Sequence, residues 1–250
     1  MKILNNNFGI CHLSIIPIRQ EPCSKSEMTT QLLYGETYKI LKTKDSWFYI
    51  ENSYDSYKGW LNYSQVKEIS INDYNTINLK KKVFSIDLMG FVEQGLNEKK
   101  TAMVPIGSLV SSCEYLKQRF RGKTTENYNK NIIDISNIYL NTPYLWGGRN
   151  NYGIDCSGFT QNVYKIKGIF IKRDAYMQAE SGIKIGYNDI EPGCLAFFGT
   201  NKITHVGILL NKKHIIHSFG KVRIDYFNGN GIKNFETKKI THNLLEIRKY

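Results

Sequence analysis

The stretch YLWGGRNNYGIDCSGF, residues 144–159, ends in a cysteine followed by small residues and leaves the chain few ways to fold around it. Beyond it, apolar residues recur at helical spacing: Phe159, Val163 and Ile166. Gly168 then supplies a stop signal. The pattern predicts a helix that begins near Cys156. A cysteine at that place is either a small buried core residue or a nucleophile, and the helix alone leaves both open.

The start of a helix is a favourable place for a reactive thiol. The positive end of the helix dipole and the free backbone N–H groups there favour a thiolate. The same N–H groups could donate to the oxyanion of an acyl transfer. Ser157 and Gly158 are small, so a substrate could approach the backbone closely. The position therefore has the properties that a cysteine hydrolase needs.

A nucleophilic thiol needs a base, usually histidine, and the chain has five histidines. His205 lies in the predicted strand THVGILL, amid apolar residues. His214 and His217 lie in the predicted strand HIIHSFG. Positions three apart in a strand face opposite sides, so only one of these two can join His205. The same spacing weakens a metal site built from the two.

The other two histidines fit the role less well. His12 follows Cys11 in a strand, so their side chains face opposite sides. His242 lies in a polar tail. The remaining choice is a Cys–His–His arrangement in which His205 is the base and His217 holds its ring. Two histidines that are buried in the core with their hydrogen bonds satisfied, and that have no catalytic role, would give the same pattern.

The pattern along the chain predicts an α+β protein. Residues 8–70 contain short aromatic-rich strands at a spacing typical of a small barrel or sandwich. Residues 71–125 contain two candidate strands within an uninformative region. A helix is predicted over about 126–140, and hairpin-connected strands are predicted from Gly193 onward.

Composition excludes several classes of protein. The five cysteines are widely spread without a C-x-x-C pair, which argues against a disulfide framework or a cysteine-rich zinc site. The net charge of +12 comes from scattered lysines typical of solvated surfaces, and no nucleic-acid-binding motif accompanies it. No apolar run is long enough to span a membrane. Because no signal-peptide pattern is present, a cytoplasmic location is expected; a removed signal would place the protein in the periplasm or outside the cell.

Three motifs in order, PYLWGGRNNYGIDCSGF, THVGI and IIHSFG, resemble the NlpC-type cysteine peptidases of bacterial cell walls. Proteins of this family have a papain-like core. The resemblance extends from the predicted helix at 126–140 to the end of the chain. It implies that Cys156 is the nucleophile, His205 the base and His217 the orienting residue. It implies no metal and no cofactor.

The segments PIRQEPCSKSEMTTQLLYGE and YDSYKGWL are similar to the bacterial SH3-like domain that precedes the catalytic domain in one branch of that family. That branch cleaves between D-glutamate and the diamino acid of wall-derived peptides that carry a free N-terminal L-alanine. By resemblance, two carboxylates and a phenol recognise the free amine: Glu27, Asp174 and Tyr57. The full set of implied substrate-binding residues is Glu27, Tyr57, Tyr144, Asp155, Ser157 and Asp174.

The expected architecture is an SH3-like small β-barrel with an extension over residues 1–122 and a papain-like α+β peptidase domain over 123–250. The expected partner is the peptide L-Ala-γ-D-Glu-diamino acid, without nucleic acid or membrane, and a monomer is expected. Two alternatives stay open: a hydrolase or amidase of intact cell wall, and a non-catalytic wall-binding module. Cys194 stands where the family usually has aspartate, so a hydrogen bond of the family is expected to be lost.

Overall fold

A computed structural model describes residues 6–94 and 99–250 of the chain. The chain divides into two compact units, the first ending at Tyr128 and the second spanning Asn129–Tyr250. This division falls a few residues after the expected boundary between residues 122 and 123.

The first unit, in its described part, is built mainly from β-strands. Its elements are β1 (Phe8–Ile10), β2 (Ile15–Arg19), β3 (Met28–Leu33), β4 (Thr37–Lys44), β5 (Trp47–Asn52), β6 (Lys58–Asn62), α1 (Ile71–Leu79), β7 (Met89–Gln94), β8 (Lys99–Pro105) and β9 (Arg119–Arg121). An antiparallel sheet has the strand order β1-β4-β5-β6-β2-β3, and a smaller one has the order β8-β7-β9.

The core of the first unit follows from alternation along its strands. In β2 every second residue is buried, and Ile16 and Ile18 pack with Phe48 and Ile50 of β5. This alternation is what a curved sheet with one inner face requires. The six-stranded sheet around this one core is the small β-barrel that the sequence predicts for this part of the chain.

Residues 71–125 extend this first unit. Tyr74 and Ile77 of α1 pack against Ile10 of β1. Val92 of β7 and Val104 of β8 pack in a separate buried cluster. The region therefore adds a helix and a three-stranded sheet to the barrel-bearing unit.

The second unit combines short helices with a large antiparallel sheet. Its elements are α2 (Ile132–Asn137), β10 (Arg149–Asn150), β11 (Gly153–Ile154), α3 (Cys156–Lys167), α4 (Ala175–Gln178), β12 (Ile183–Ile185), β13 (Leu195–Gly199), β14 (Ile203–Asn211), β15 (His214–Phe219), β16 (Lys221–Phe227), β17 (Gly231–Lys233) and β18 (Ile240–Lys249). The strand order is β12-β18-β13-β14-β15-β16-β17, and β17 also pairs with β18, which closes the sheet on itself.

Helix α3 is the central helix of the second unit and begins and ends where the sequence predicts. Asp155 caps its start, and its carboxylate accepts a hydrogen bond from the Gly158 N–H at 2.7 Å. At the other end Gly168 adopts a left-handed conformation with φ of 88°, which glycine tolerates best. The helix is buried from Cys156 to Ile166 and packs on β14 and β15. The nucleophile candidate is thus held against the strands that carry His205 and His217.

The helix predicted over 126–140 is much shorter in the structure. Asn131 caps α2, because its side chain accepts a hydrogen bond from the Asp134 N–H at 2.9 Å. After Asn137 the chain continues in tight i→i+3 turns, and Asn141 takes a positive φ of 67°. The apolar spacing in the sequence continues beyond both ends of α2. Asn131 starts the helix late and the turns up to Asn141 end it early, because asparagine side chains compete for backbone hydrogen bonds.

All five cysteines are free thiols. Cys194 lies in the buried core of the second unit with Ala196 and Leu209, so a small apolar contact occupies the place where the resemblance implies aspartate.

Among the described residues, no helix is both long and apolar enough to cross a membrane.

Candidate active site

Cys156 is the first residue of α3, and the residue before it is fixed by an extensive network. Each oxygen of the Asp155 carboxylate accepts one backbone N–H, from Gly147 at 2.8 Å and from Gly158 at 2.7 Å. Arg173 adds a two-pronged ion pair to the same carboxylate, at 2.6 and 3.0 Å. Both side chains are almost fully buried. A buried bidentate pair of this kind fixes geometry, so the backbone that presents Cys156 is held rigidly.

Ser157 belongs to the same network. Its hydroxyl accepts a hydrogen bond from Arg173 at 2.9 Å and lies 3.3 Å from the Asp155 carboxylate. Asp155 and Ser157 were assigned to substrate binding by resemblance. In the structure their polar atoms bind one another and Arg173, which gives them a part in positioning Cys156.

The thiol of Cys156 is buried, with 6% of the residue exposed. Its sulfur receives backbone hydrogen bonds from Val206 and Ser157. Burial, followed by the negative charge of Asp155, raises the pKa of Cys156 to about 12, against the opposing effect of those donors and Arg173. The expectation that the helix start alone favours a thiolate is wrong for this resting site, because desolvation outweighs the dipole. The thiol needs a base.

The candidate base, His205, lies on β14, the strand whose Val206 N–H donates to the sulfur. Val206 directly follows His205 on β14, so the backbone contact of Val206 brings the strand that carries His205 up to the nucleophile. His205 Nε2 lies 2.8 Å from His217 Nδ1 on the neighbouring strand β15. The two rings meet edge to face with centroids 5.0 Å apart. The structure therefore brings His205 and His217 together on the two strands that α3 packs against.

His214 points elsewhere, as the strand periodicity predicts. Its Nδ1 lies 3.2 Å from the side-chain oxygen of Asn211, and its ring packs against Tyr226. The spacing argument thus separates the two histidines of β15 correctly: His217 is fully buried, whereas His214 is half-exposed.

Two residues that sequence reasoning passed over also reach this cluster. His242, assigned to a polar tail, lies in β18 and stacks on His205 with ring centroids 4.1 Å apart. Asp225, in the middle of β16, has its Oδ2 atom 3.0 Å from His217 Nε2. The pairing of β18 with β13 and β17 is a long-range property, and no local pattern signals it. Asp225 gave no local signal either, because in the predicted strand KVRIDYF it shares a face with Lys221 and Arg223 and therefore reads as part of a polar, solvated face.

Burial dominates the electrostatics of the three histidines. It lowers the pKa of His205 well below its ordinary value, with further lowering by His217 and His242. Burial also lowers the pKa of His217, although the hydrogen bond that His217 donates to Asp225 and the charge of Asp225 oppose it. The pKa of His242 falls to about 4, again mainly through burial. All three imidazoles are therefore neutral near pH 7, the state in which a histidine accepts a proton.

The same three histidines are the group of described residues that could hold a metal ion, since one ring nitrogen from each lies within 4.8 Å of the others. Their arrangement favours a hydrogen-bonded relay instead. His205 Nε2 and His217 Nδ1 are at hydrogen-bond distance, so these two nitrogens bind each other. The rings of His205 and His242 are nearly parallel, so their in-plane lone pairs run side by side and do not converge on one ion.

Tyr144 and Asp174 belong to the second unit, and Tyr144 is near enough to Cys156 and Asp155 to respond to their charges. Burial, followed by the charges of Cys156 and Asp155, raises the pKa of Tyr144, so its hydroxyl stays a hydrogen-bond donor. Asp174 occupies the N-cap position of α4 without a side-chain cap hydrogen bond. It directly follows Arg173, so the ion pair with Asp155 fixes its backbone.

Glu27 and Tyr57 lie in the first unit. Glu27 is exposed, and its carbonyl accepts a hydrogen bond from the Gln20 N–H at 3.0 Å. Tyr57 is half-buried at the end of the β5–β6 connection, directly before β6, and its N–H donates to Asp55 at 3.0 Å. Their assignment to amine recognition stays a prediction.

Comparison with known proteins agrees with this architecture. Residues 141–241 match the NlpC/P60 family, and residues 18–66 match the bacterial dipeptidyl-peptidase SH3 domain. A gamma-D-glutamyl-L-lysine dipeptidyl-peptidase of Bacillus subtilis (strain 168) is 26% identical over 78% of this chain and 74% of its own length. Dipeptidyl-peptidase 6 of Lysinibacillus sphaericus is 26% identical over 79% of this chain and 82% of its own length.

A solved structure shows the same fold over almost the whole chain. An NlpC/P60 family protein from Bacillus cereus covers 97% of this chain and 99% of its own length, with a TM-score of 0.74 and 17% identity. The fold and the family matches define the second unit as a peptidase domain. The chain combines an NlpC/P60 domain with a bacterial dipeptidyl-peptidase SH3 domain, and the resemblance drawn from its sequence motifs is confirmed.

Proposed function

We propose that this protein is a cysteine peptidase that hydrolyses the bond between γ-linked D-glutamate and the diamino acid in peptidoglycan-derived peptides with a free N-terminal L-alanine. The observation that carries the proposal is the hydrogen-bonded pair His205–His217 on the strands that α3 packs against, together with the contact of the Cys156 sulfur with the N–H of the residue after His205. The names of the relatives support the substrate class.

The neutral His205 accounts for the first chemical step. As the sulfur of Cys156 attacks the γ-carbonyl carbon, His205 accepts the thiol proton, because neither a thiolate nor an imidazolium is favoured in the buried resting site. Backbone N–H groups at the start of α3 and the Tyr144 hydroxyl donate to the oxyanion. The proton on His205 then passes to the leaving amine of the diamino acid as the C–N bond breaks.

The second half of the reaction releases the enzyme. The first half leaves a thioester between Cys156 and the γ-carboxyl carbon of the glutamate. Water, deprotonated by His205, attacks that carbon, and the C–S bond breaks as the proton returns to sulfur. The products are L-Ala-D-Glu and a peptide that begins with the diamino acid. No metal or cofactor takes part in this scheme.

Recognition of a free amine would make the enzyme selective for wall fragments. An ammonium group taken out of water needs anionic or π partners. Glu27, Tyr57 and Asp174 are proposed to supply them. Peptides that are still attached to glycan through their N-terminus lack this ammonium, so the proposed enzyme would not cleave them. The proposed role is the recycling of released wall peptides in the cytoplasm, and the protein is proposed to act as a monomer.

The test compares the tripeptide L-Ala-γ-D-Glu-L-Lys with its N-acetylated form, followed by mass spectrometry. Cleavage of the free peptide alone supports the proposal. Equal cleavage of both peptides would indicate a hydrolase of intact wall and would contradict recognition of the free amine. Binding of wall fragments without hydrolysis, unchanged in Cys156→Ala, would indicate a wall-binding module.

A further inference from the structure

Asp225 lies behind the histidine pair, on the side of His217 opposite to His205. Its Oδ2 atom is 3.0 Å from His217 Nε2, and His217 Nδ1 is 2.8 Å from His205 Nε2. The side chains of Asp225 and His217 are both fully buried. Three side chains on the adjacent strands β14, β15 and β16 therefore form one continuous hydrogen-bonded row.

The carboxylate of Asp225 is held in its ionised form by several donors. The backbone N–H of Phe235 donates to its Oδ1 atom at 2.7 Å, and Arg223 donates to the same oxygen at 3.1 Å. The Arg223 Nε atom lies 3.0 Å from Oδ2. Burial alone would raise the pKa of Asp225, but the hydrogen bonds from His217, Phe235 and Arg223 prevail and lower it.

An ionised carboxylate can only accept hydrogen bonds, and this fixes the order of protons along the row. His217 must carry its proton on Nε2, which it donates to Asp225. Its Nδ1 atom is then an acceptor, so His205 must carry its proton on Nε2. The Nδ1 atom of His205 is left with a free lone pair, which is the form that can accept the thiol proton of Cys156.

We propose that Asp225 is a positioning residue that sets the tautomers of both His217 and His205 and so keeps His205 competent as a base. The inference rests on the proposed function only in giving His205 that role. The proton order itself is a property of the protein without substrate, so it can be tested separately.

A purely structural role for Asp225 is the competing explanation, because the carboxylate also anchors the Phe235 backbone. Asp225→Asn separates the two roles. The amide oxygen can still accept the Phe235 N–H, and the amide nitrogen then takes the place of Oδ2. There it donates to His217 Nε2, which moves the proton of His217 to Nδ1 and that of His205 to Nδ1. The thiol then faces an N–H instead of a lone pair.

The experiment measures imidazole ¹⁵N chemical shifts, which distinguish the two tautomers, in the wild type and in Asp225→Asn. We expect Nε2–H on both histidines in the wild type and Nδ1–H on both in the variant. With the tripeptide as substrate, kcat should fall at least about 100-fold while KM changes little, since a wrong tautomer removes the base but no substrate contact. Asp189→Asn, the same substitution at an exposed site of the second unit, should keep the wild-type rate.

The outcomes separate this inference from the proposed function. Nδ1–H on His217 in the wild type would overturn it, and this result needs neither a folded variant nor a substrate. Wild-type tautomers and wild-type kcat in Asp225→Asn would overturn it as well. If the wild type shows the expected tautomers but does not cleave the tripeptide, the assigned substrate is wrong while the role of Asp225 in setting the tautomers stands.

Discussion

His205 and His242 stack face to face in the second unit, with ring centroids 4.1 Å apart and ring planes inclined by 23°. The Phe219 ring packs perpendicular to His242, with centroids 4.9 Å apart, and lies 6.5 Å from His205, so it packs beside the stacked pair. One face of the proposed base is therefore covered by a neutral ring. Water is excluded from that face, which contributes to the low pKa of His205.

We expect His242→Ala to raise the pKa of His205, because the substitution removes both the cover and the nearby titratable ring. A base must be neutral to act, so activity is lost as pH falls through its pKa. A higher pKa moves the acid limb of the kcat/KM profile to higher pH. His242→Phe keeps the stacked surface and should move the limb less. An acid limb at the same pH in wild type and His242→Ala would contradict this account of the low pKa.

The protonated state of the resting thiol predicts an unusual order of cysteine reactivity. Cys23 is exposed, whereas Cys156 is buried and its pKa is raised to about 12. Since the thiolate is the reactive form, iodoacetamide at pH 7 should modify Cys23 faster than Cys156 in the substrate-free protein. Peptide mass spectrometry measures both sites in one sample. Faster modification of Cys156 at pH 7 would show a preformed thiolate–imidazolium pair.

The ion pair between Arg173 and Asp155 predicts a large effect on stability. Arg173→Met would leave a buried carboxylate without its cation, which costs about 3–5 kcal/mol of unfolding free energy. Lys184→Met is the control, because its pair with Glu246 at 3.2 Å is exposed on the lysine side and contributes at most about 1 kcal/mol. Urea unfolding measures both. Equal losses in the two variants would contradict the role of the buried pair.

Amine recognition predicts a selective effect of Glu27→Gln. Loss of a hydrogen bond to a charged group lowers binding affinity by roughly 10- to 100-fold. The KM for the free-amine tripeptide should therefore rise by about that factor, while kcat stays largely unchanged. Glu21→Gln, a nearby exposed carboxylate, is the matched control. Steady-state kinetics with the free peptide decide, and an unchanged KM in Glu27→Gln would remove this residue from the proposed amine site.

The part of the site that could be predicted depends on local signals. Asp155 as a cap and Gly168 as a stop define α3 within a few residues of sequence, so the position of Cys156 was predictable. The alternation along β14 and β15 separates His205 and His217 from His214 for the same reason. The motifs around these residues then identified the family.

The remaining members of the site depend on contacts between distant segments. His242 reaches His205 only because β18 pairs with β13 across the closed sheet. Arg173 follows α3 in sequence and Asp155 precedes it, so no periodicity links the two positions that form the ion pair. Helix α2 shows the opposite error, since its apolar spacing suggested more helix than the capping Asn131 permits.

The most direct test of the central claim follows L-Ala-γ-D-Glu-L-Lys by mass spectrometry with the wild type and with Cys156→Ala. The wild type should release L-Ala-D-Glu and lysine, and Cys156→Ala should release neither while circular dichroism shows an unchanged fold. Release of the same products at the same rate by the folded Cys156→Ala variant would contradict a nucleophilic role for this sulfur and with it the assignment as a cysteine peptidase.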